Sequence, residues 1–297
     1  MSLPSFVDVK ALAAVANLGL RARLVVEGFY AGLHRSRFKG FSVEFAEYRS
    51  YQPGDDLRLV DWRAYARTDR YYVREFEAET NLRFILCLDA SGSMAYPPQG
   101  PMTKFAYAAT AAAALAYLAL GQRDAVGVAT FGDKITALVP PRSGRQHFGR
   151  IVDVLERAVP AGRTDLYATL AALADRVHRR ALLAVFTDLW DASGRVFDGL
   201  RALRGGKHEV LLFHVLDARE EDFAFARPAT FVDMETAETV DLDGPRYRAS
   251  YGEALRKLKE EYRLALGARD IEYVPLVTDV PPAYALASYL GRRGRLP

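Results

Sequence analysis

Arg83-Phe84-Ile85-Leu86-Cys87-Leu88-Asp89-Ala90-Ser91-Gly92-Ser93-Met94 is the segment around which the chain is organised. Its first half is a continuous apolar run with aromatic and β-branched members, the pattern of a strand buried on both faces. The second half breaks into an acid, two serines and a glycine, so the strand delivers a polar loop at its carboxyl end. In a parallel sheet such strand ends gather along one rim.

Asp89-x-Ser91-x-Ser93 offers a carboxylate and two hydroxyls on alternate residues. That donor set suits a hard cation such as Mg²⁺, which takes six oxygens at roughly 2.1 Å and usually keeps several waters. The same triplet also reads as a strand-to-helix turn in which Asp89 or Ser91 caps the following helix. Two further segments supply what a cation site needs. Gly162-Arg163-Thr164-Asp165-Leu166 places a loop hydroxyl just before a helical stretch, and Ala181-Leu182-Leu183-Ala184-Val185-Phe186-Thr187-Asp188 is a second apolar strand ending in an acid. Asp165 reads as a helix cap, with support of a cation ligand as the alternative.

Asp89-Ala90-Ser91-Gly92-Ser93, Thr164 and Asp188 resemble the metal-ion-dependent adhesion site of von Willebrand factor type A domains. Arg49-Ser50-Tyr51-Gln52-Pro53-Gly54-Asp55-Asp56-Leu57-Arg58-Leu59-Val60-Asp61-Trp62, continuing to Ala66-Arg67, resembles the signature of the DUF58 family of bacterial proteins. Together these resemblances run from about Phe38 to the C-terminus. The first implies that Ser91, Ser93 and Thr164 bind Mg²⁺ directly, with Mn²⁺ or Ca²⁺ as substitutes, while Asp89 and Asp188 hold it through waters or hydrogen bonds. An ion held mostly by neutral hydroxyls keeps much of its positive charge, so its open position favours a Glu or Asp from another protein. The second implies a partner. DUF58 proteins are commonly encoded beside MoxR-type AAA+ ATPases, so the chain is expected to be a non-enzymatic adaptor or co-chaperone of such a motor.

The rest of the chain implies an α/β protein with a doubly wound, mostly parallel sheet and a small β-rich second domain. Residues 1–34 are expected to hold an N-terminal amphipathic helix, from Phe6 to about Leu33. Residues 35–80 read as a small β-rich segment, and 81–217 as the first part of the main domain. Within it, Ala125–Phe131 and Lys134–Val139 form a hairpin through Gly132-Asp133, giving the sheet one antiparallel edge. Residues 218–248 read as a β-hairpin insertion packing with 35–80, and 249–297 as a closing helix-strand-helix with a frayed basic tail from Gly291. The Arg and Asp residues between 49 and 67 around Trp62 read as a network docking a bent segment, or as a second interaction surface.

Composition narrows the function classes. Forty basic against thirty-seven acidic residues leave a formal charge of +3, too small to make nucleic acid or an anionic membrane the default partner. The single Cys87, inside an apolar run, excludes an intrachain disulfide framework and suits a reducing compartment. No apolar segment is read as long enough to span a membrane, and a cytoplasmic location is expected. Five histidines lack zinc-ligand spacing. Gly144 to Ile151 has the glycine spacing of a phosphate loop without its lysine or hydroxyl. A metal-dependent phosphohydrolase using Asp89 is the enzymatic alternative, weakened because Ser91 stands where a second acid is required. A metal-independent scaffold with a vestigial site is the third reading.

Overall fold

The computed structural model describes residues 8–35, 48–50, 72–74, 82–96, 100–190 and 195–293. At its centre lies a six-stranded sheet of β3 (Arg83–Asp89), β4 (Ala125–Phe131), β5 (Ile135–Arg142), β6 (Leu182–Thr187), β7 (Glu209–Leu216) and β10 (Ile271–Val277), in the order β10-β7-β6-β3-β4-β5. All neighbours are parallel except β5, which runs antiparallel to β4. This is the doubly wound, mostly parallel α/β sheet expected, with its one antiparallel edge. Pro140 and Pro141 lie within β5, where an edge strand has no second partner to lose.

Alternation along β3 builds the two cores. Phe84, Leu86 and Leu88 enter one apolar cluster and Ile85 and Cys87 the other, because successive side chains leave opposite faces of a strand. On the first face lies α3 (Lys104–Gly121), an alanine-rich helix whose small side chains allow close approach to the sheet. Around it pack α2 (Leu18–Arg35), α4 (His147–Arg157) and α9 (Ala283–Arg293). On the second face lie α5 (Leu166–Arg176) and α6 (Val196–Gly205), with Leu266 of α8 (Gly244–Gly267). Phe186 of β6 and Phe213 of β7 stack at 4.5 Å between ring centroids.

Several boundaries differ from expectation. The N-terminal segment is two helices, α1 (Val9–Ala13) and α2. Asn17 interrupts them because its side-chain oxygen accepts from the Leu20 amide at 2.7 Å and starts α2, while Glu156 accepts from the Leu18 amide at 3.1 Å. Val25, Val26 and Phe29 are buried in the first core, so this segment is part of the main body. A short α7 (Ala218–Asp222), absent from the expectation, follows β7 with a reciprocal capping box between Asp217 and Glu220. Residues Gly291 to Arg293, read as a frayed tail, continue α9.

The insertion is the expected hairpin, β8 (Ala229–Val232) paired antiparallel with β9 (Thr239–Leu242). Of the segment 35–80, the structure describes β1 (Tyr48–Ser50) paired antiparallel with β2 (Tyr72–Arg74). The charged cluster around Trp62, and any packing of the hairpin on that cluster's segment, lie outside the described residues. Asp165 caps α5, its carboxylate accepting from the Ala168 amide at 2.8 Å. Asp165→Ala is expected to lower stability by about 1 kcal/mol in urea unfolding; an unchanged midpoint would rule the cap out as a contributor.

Candidate metal centre at the strand ends

Asp89 ends β3 and Asp188 follows β6, its neighbour, so parallel pairing brings both acids to one rim. The loop after β3 is held against the Thr164 loop by main-chain bonds. The Gly92 amide donates to the Gly162 carbonyl at 2.8 Å and the Ala161 amide to the Ala90 carbonyl at 3.0 Å. Gly162, at φ 78°, makes the turn that brings its carbonyl there, a conformation glycine adopts without strain.

Asp89 is wholly buried and both of its oxygens are engaged, by the Ser91 amide at 2.9 Å and the Thr187 hydroxyl at 2.7 Å. Burial, and then the negative charge of Asp188, push its carboxyl well above the usual range. The Ser91 and Ser93 hydroxyls lie 3.0 Å apart, both buried. Ser91 begins a short 3₁₀ turn, Gly92–Ala95, without capping it through its side chain, which leaves the hydroxyl facing Ser93. The Thr164 hydroxyl oxygen is buried and has no hydrogen-bond partner.

Asp188 is held differently from Asp89. One oxygen accepts from the ammonium of Lys104 at 2.7 Å, and the other from the Trp190 amide at 3.2 Å. Leu189 between them sits at φ 58°, a left-handed conformation costly for a residue with a Cβ. Lys104, only 2 % exposed, also donates to Glu220 at 2.7 Å. Burial acts to lower its pKa, but the charges of Asp188 and Glu220 outweigh that and hold the ammonium protonated well above the ordinary lysine value.

A third segment reaches the rim from the β8–β9 turn. Asp233 accepts from the amides of Glu235 at 2.7 Å and Thr236 at 2.9 Å, and this turn aims Glu235 inward. Glu235 accepts from the Thr164 amide at 3.0 Å through one oxygen, while its other oxygen is buried without a partner. Burial raises the Glu235 carboxyl; the Thr164 amide draws it down, the Asp188 charge raises it, and the nearby Ser93 hydroxyl draws it down again.

The five residues read from the sequence thus share one rim: Asp89, Ser91 and Ser93 on one loop, Thr164 on a loop bonded to it, and Asp188 on the adjacent strand. Lys104, Glu220 and Glu235 were not anticipated. A lysine at the start of an otherwise apolar helix is a signal that could have been read, since a cation is unfavourable there without anionic partners. Nothing in the sequence places Glu235 over Thr164, 71 residues away. Among the described residues His, Cys, Asp and Glu do not gather in threes as a metal cage, so a cation at this rim would depend on hydroxyl oxygens. The donors fit a hard divalent ion: paired serines, an unpartnered threonine hydroxyl and an unpartnered carboxylate oxygen.

Comparison with known proteins identifies the family. The profile described as "Protein of unknown function DUF58" matches residues 47–261. The chain belongs to the DUF58 family. This DUF58 chain is 31% identical over 234 residues to the uncharacterized protein Rv1480 of Mycobacterium tuberculosis, covering 77% of this chain and 72% of that one. Among solved structures it is similar to an aerotolerance-related membrane protein from Bacteroides fragilis, with 14% identity, 71% and 99% of the chains covered, and a TM-score of 0.44. It is also similar to the SpRpn10 VWA domain, with 11% identity, 70% and 94% covered, and a TM-score of 0.41.

The cytoplasmic location expected for this DUF58 protein is corrected. The similar solved proteins from Bacteroides fragilis and Vibrio fischeri are described as a membrane protein and a membrane-spanning protein, descriptions that belong to those proteins. Contrary to expectation, one helix among the described residues, α3, is also long and apolar enough to cross a membrane by length and composition, though 83% of it is buried inside the protein. A near-balanced charge and one buried cysteine, on which the expectation rested, are equally at home in a domain attached to a membrane.

Proposed function

We propose that this rim is a divalent-cation-dependent protein-binding site and that the chain acts without catalysing a reaction. Ser91, Ser93 and Thr164 would hold the ion directly, with Mg²⁺ the first choice and Mn²⁺ or Ca²⁺ as substitutes. Asp89 and Asp188 would act from outside, anchored as they are by Thr187, the Ser91 amide, Lys104 and the Trp190 amide. The observation that carries this reading is the Thr164 hydroxyl, buried and unpartnered on the loop bonded to that of Ser91 and Ser93. A buried polar atom without a partner is costly, and a cation would satisfy it. Such an ion, bound by neutral hydroxyls, would recruit an acidic side chain from a partner. A MoxR-type AAA+ ATPase is the partner we propose, on the strength of the family resemblance.

The phosphohydrolase reading fares less well, because Asp89 is wholly buried and each of its oxygens is already engaged by a hydrogen bond. A scaffold without metal draws on one observation, that the Lys104 ammonium already neutralises Asp188. Calorimetry separates the two. Mg²⁺ is expected to bind the wild type at millimolar concentration or below, and Ser91→Ala to bind it at least about tenfold more weakly, by analogy with lost metal-site groups. Absence of binding to the wild type at millimolar Mg²⁺ would leave the scaffold standing. A purified MoxR-type ATPase from the same organism should bind in Mg²⁺ and release in EDTA.

A further inference from the structure

We propose that Glu235 is the chain's own acidic ligand for this cation, so that the β8–β9 hairpin occupies the position a partner's carboxylate would take. This rests on the cation-site reading above and adds a regulatory element to it: the partner binds by displacing the hairpin turn.

Three independent features converge on Glu235. One carboxylate oxygen accepts from the Thr164 amide at 3.0 Å, which fixes the side chain against the loop that supplies the Thr164 hydroxyl. Its other oxygen is buried with no hydrogen-bond partner, as is the Thr164 hydroxyl itself. Two unpartnered buried oxygens, one of them on a carboxylate, are the arrangement a hard cation would complete. The turn is also built to present this residue. The Asp233 carboxylate accepts from the Glu235 and Thr236 amides, the Asp233 amide donates to the Glu238 carbonyl at 2.8 Å, and Ala237 closes the turn at φ 60°. The Met234 carbonyl backs directly onto Gly92, so close that a Cβ there would lie 2.7 Å from it. The glycine between Ser91 and Ser93 is what lets the turn seat.

The hairpin is equally suited to leaving. Its strands are four residues each, and it carries exposed apolar side chains at Val232, Met234 and Val240. A short two-stranded element of this kind has little stability of its own. Phe231 of β8 packs on Phe223 and Phe225, at 5.5 and 4.8 Å between ring centroids, and holds the base of the hairpin. The part suited to leaving is therefore the turn at 233–237, whose seating rests on the rim contacts, and a cation adds to them.

Full-length protein titrated with Mn²⁺ and followed by electron paramagnetic resonance tests the proposal, with acetate as the carboxylate probe. Glu235→Gln is expected to bind Mn²⁺ at least about tenfold more weakly than wild type, and acetate should restore part of that affinity in the variant while leaving wild type unchanged. Glu238→Gln, on the same turn but facing solvent, should behave as wild type. In wild type, Mg²⁺ should slow hydrogen exchange of the amides at 233–237, and in Glu235→Gln it should not. If Glu235→Gln binds Mn²⁺ as tightly as wild type while Ser91→Ala does not, the inference is overturned and the cation site stands. If wild type binds no Mn²⁺ at millimolar concentration, the cation site itself falls, and this inference with it. Thermal melts of each variant confirm that the fold is retained.

Discussion

Lys104→Met is expected to destabilise the protein by about 3–5 kcal/mol, the cost of removing one member of a buried ion pair and leaving the other uncompensated. The ammonium lies 2.7 Å from both Asp188 and Glu220, and the side chains of Lys104 and Asp188 are 2% and 3% exposed. Methionine keeps the length and apolar stem of the lysine, so little of the loss would come from packing. Urea unfolding of the two proteins at neutral pH measures it. A second effect separates the readings of the rim. Without Lys104, Asp188 is free to take part in binding a cation, and anything that binds only the folded state stabilises it. Millimolar Mg²⁺ should therefore recover part of the loss if the rim binds metal, and should do nothing if the rim is a scaffold. A destabilisation below about 1 kcal/mol would show that Asp188 and Glu220 tolerate isolation, and would remove Lys104 from the account of what holds the site.

Gly92→Val is the next largest expectation, a loss of about 1–3 kcal/mol from overpacking. A Cβ at this position would lie 2.7 Å from the Met234 carbonyl oxygen and 3.0 Å from that of Gly162, and both contacts are main chain, so no flexible side-chain end can yield. Either the β8–β9 turn lifts or the bond between the Gly92 amide and the Gly162 carbonyl breaks. Hydrogen exchange distinguishes them: faster exchange confined to 233–237 means the turn has lifted, and faster exchange at residues 90–92 means that the two loops have parted. Unchanged stability with unchanged exchange in both segments would contradict the close seating of the hairpin on the loop. The variant also bears on the regulatory proposal. Lifting the turn removes Glu235 without altering it, so Mn²⁺ affinity should fall in the same direction as in Glu235→Gln.

The parts of this protein legible in its sequence are those set by local pattern. Continuous apolar runs at 84–88 and 182–186 specify strands buried on both faces, and the alanine-rich run from Lys104 specifies a helix lying close to a sheet. The carboxyl ends of those strands carry Asp89, Ser91, Ser93 and Asp188, and parallel pairing then brings the acids to one rim without further information. Thr164 was legible for a similar reason, since it precedes a capped helix that returns to the sheet. Break points were harder. At the division of the N-terminal segment into α1 and α2, the Asn17 side chain accepts from the Leu20 amide and Glu156, 138 residues away, accepts from the Leu18 amide. Local side-chain bonds of this kind compete with helix propensity, and the distant one has no signature in spacing.

Local pattern along the chain suffices for the doubly wound sheet and for the side chains its strand ends present. The groups that surround those side chains are set by how the folded chain packs. Lys104, Glu220 and Glu235 come from a helix N-terminus, a short helix after β7 and a hairpin turn, and each reaches the rim through chain-distant packing rather than through spacing. Local pattern fixes which residues form an element and which face it buries; it is silent on which loops meet, because those meetings depend on how elements close over one another in three dimensions. Hence the hydroxyls and acids were readable as a cation's donor set, while the ammonium on Asp188 and the carboxylate over Thr164 became visible only once the chain was folded.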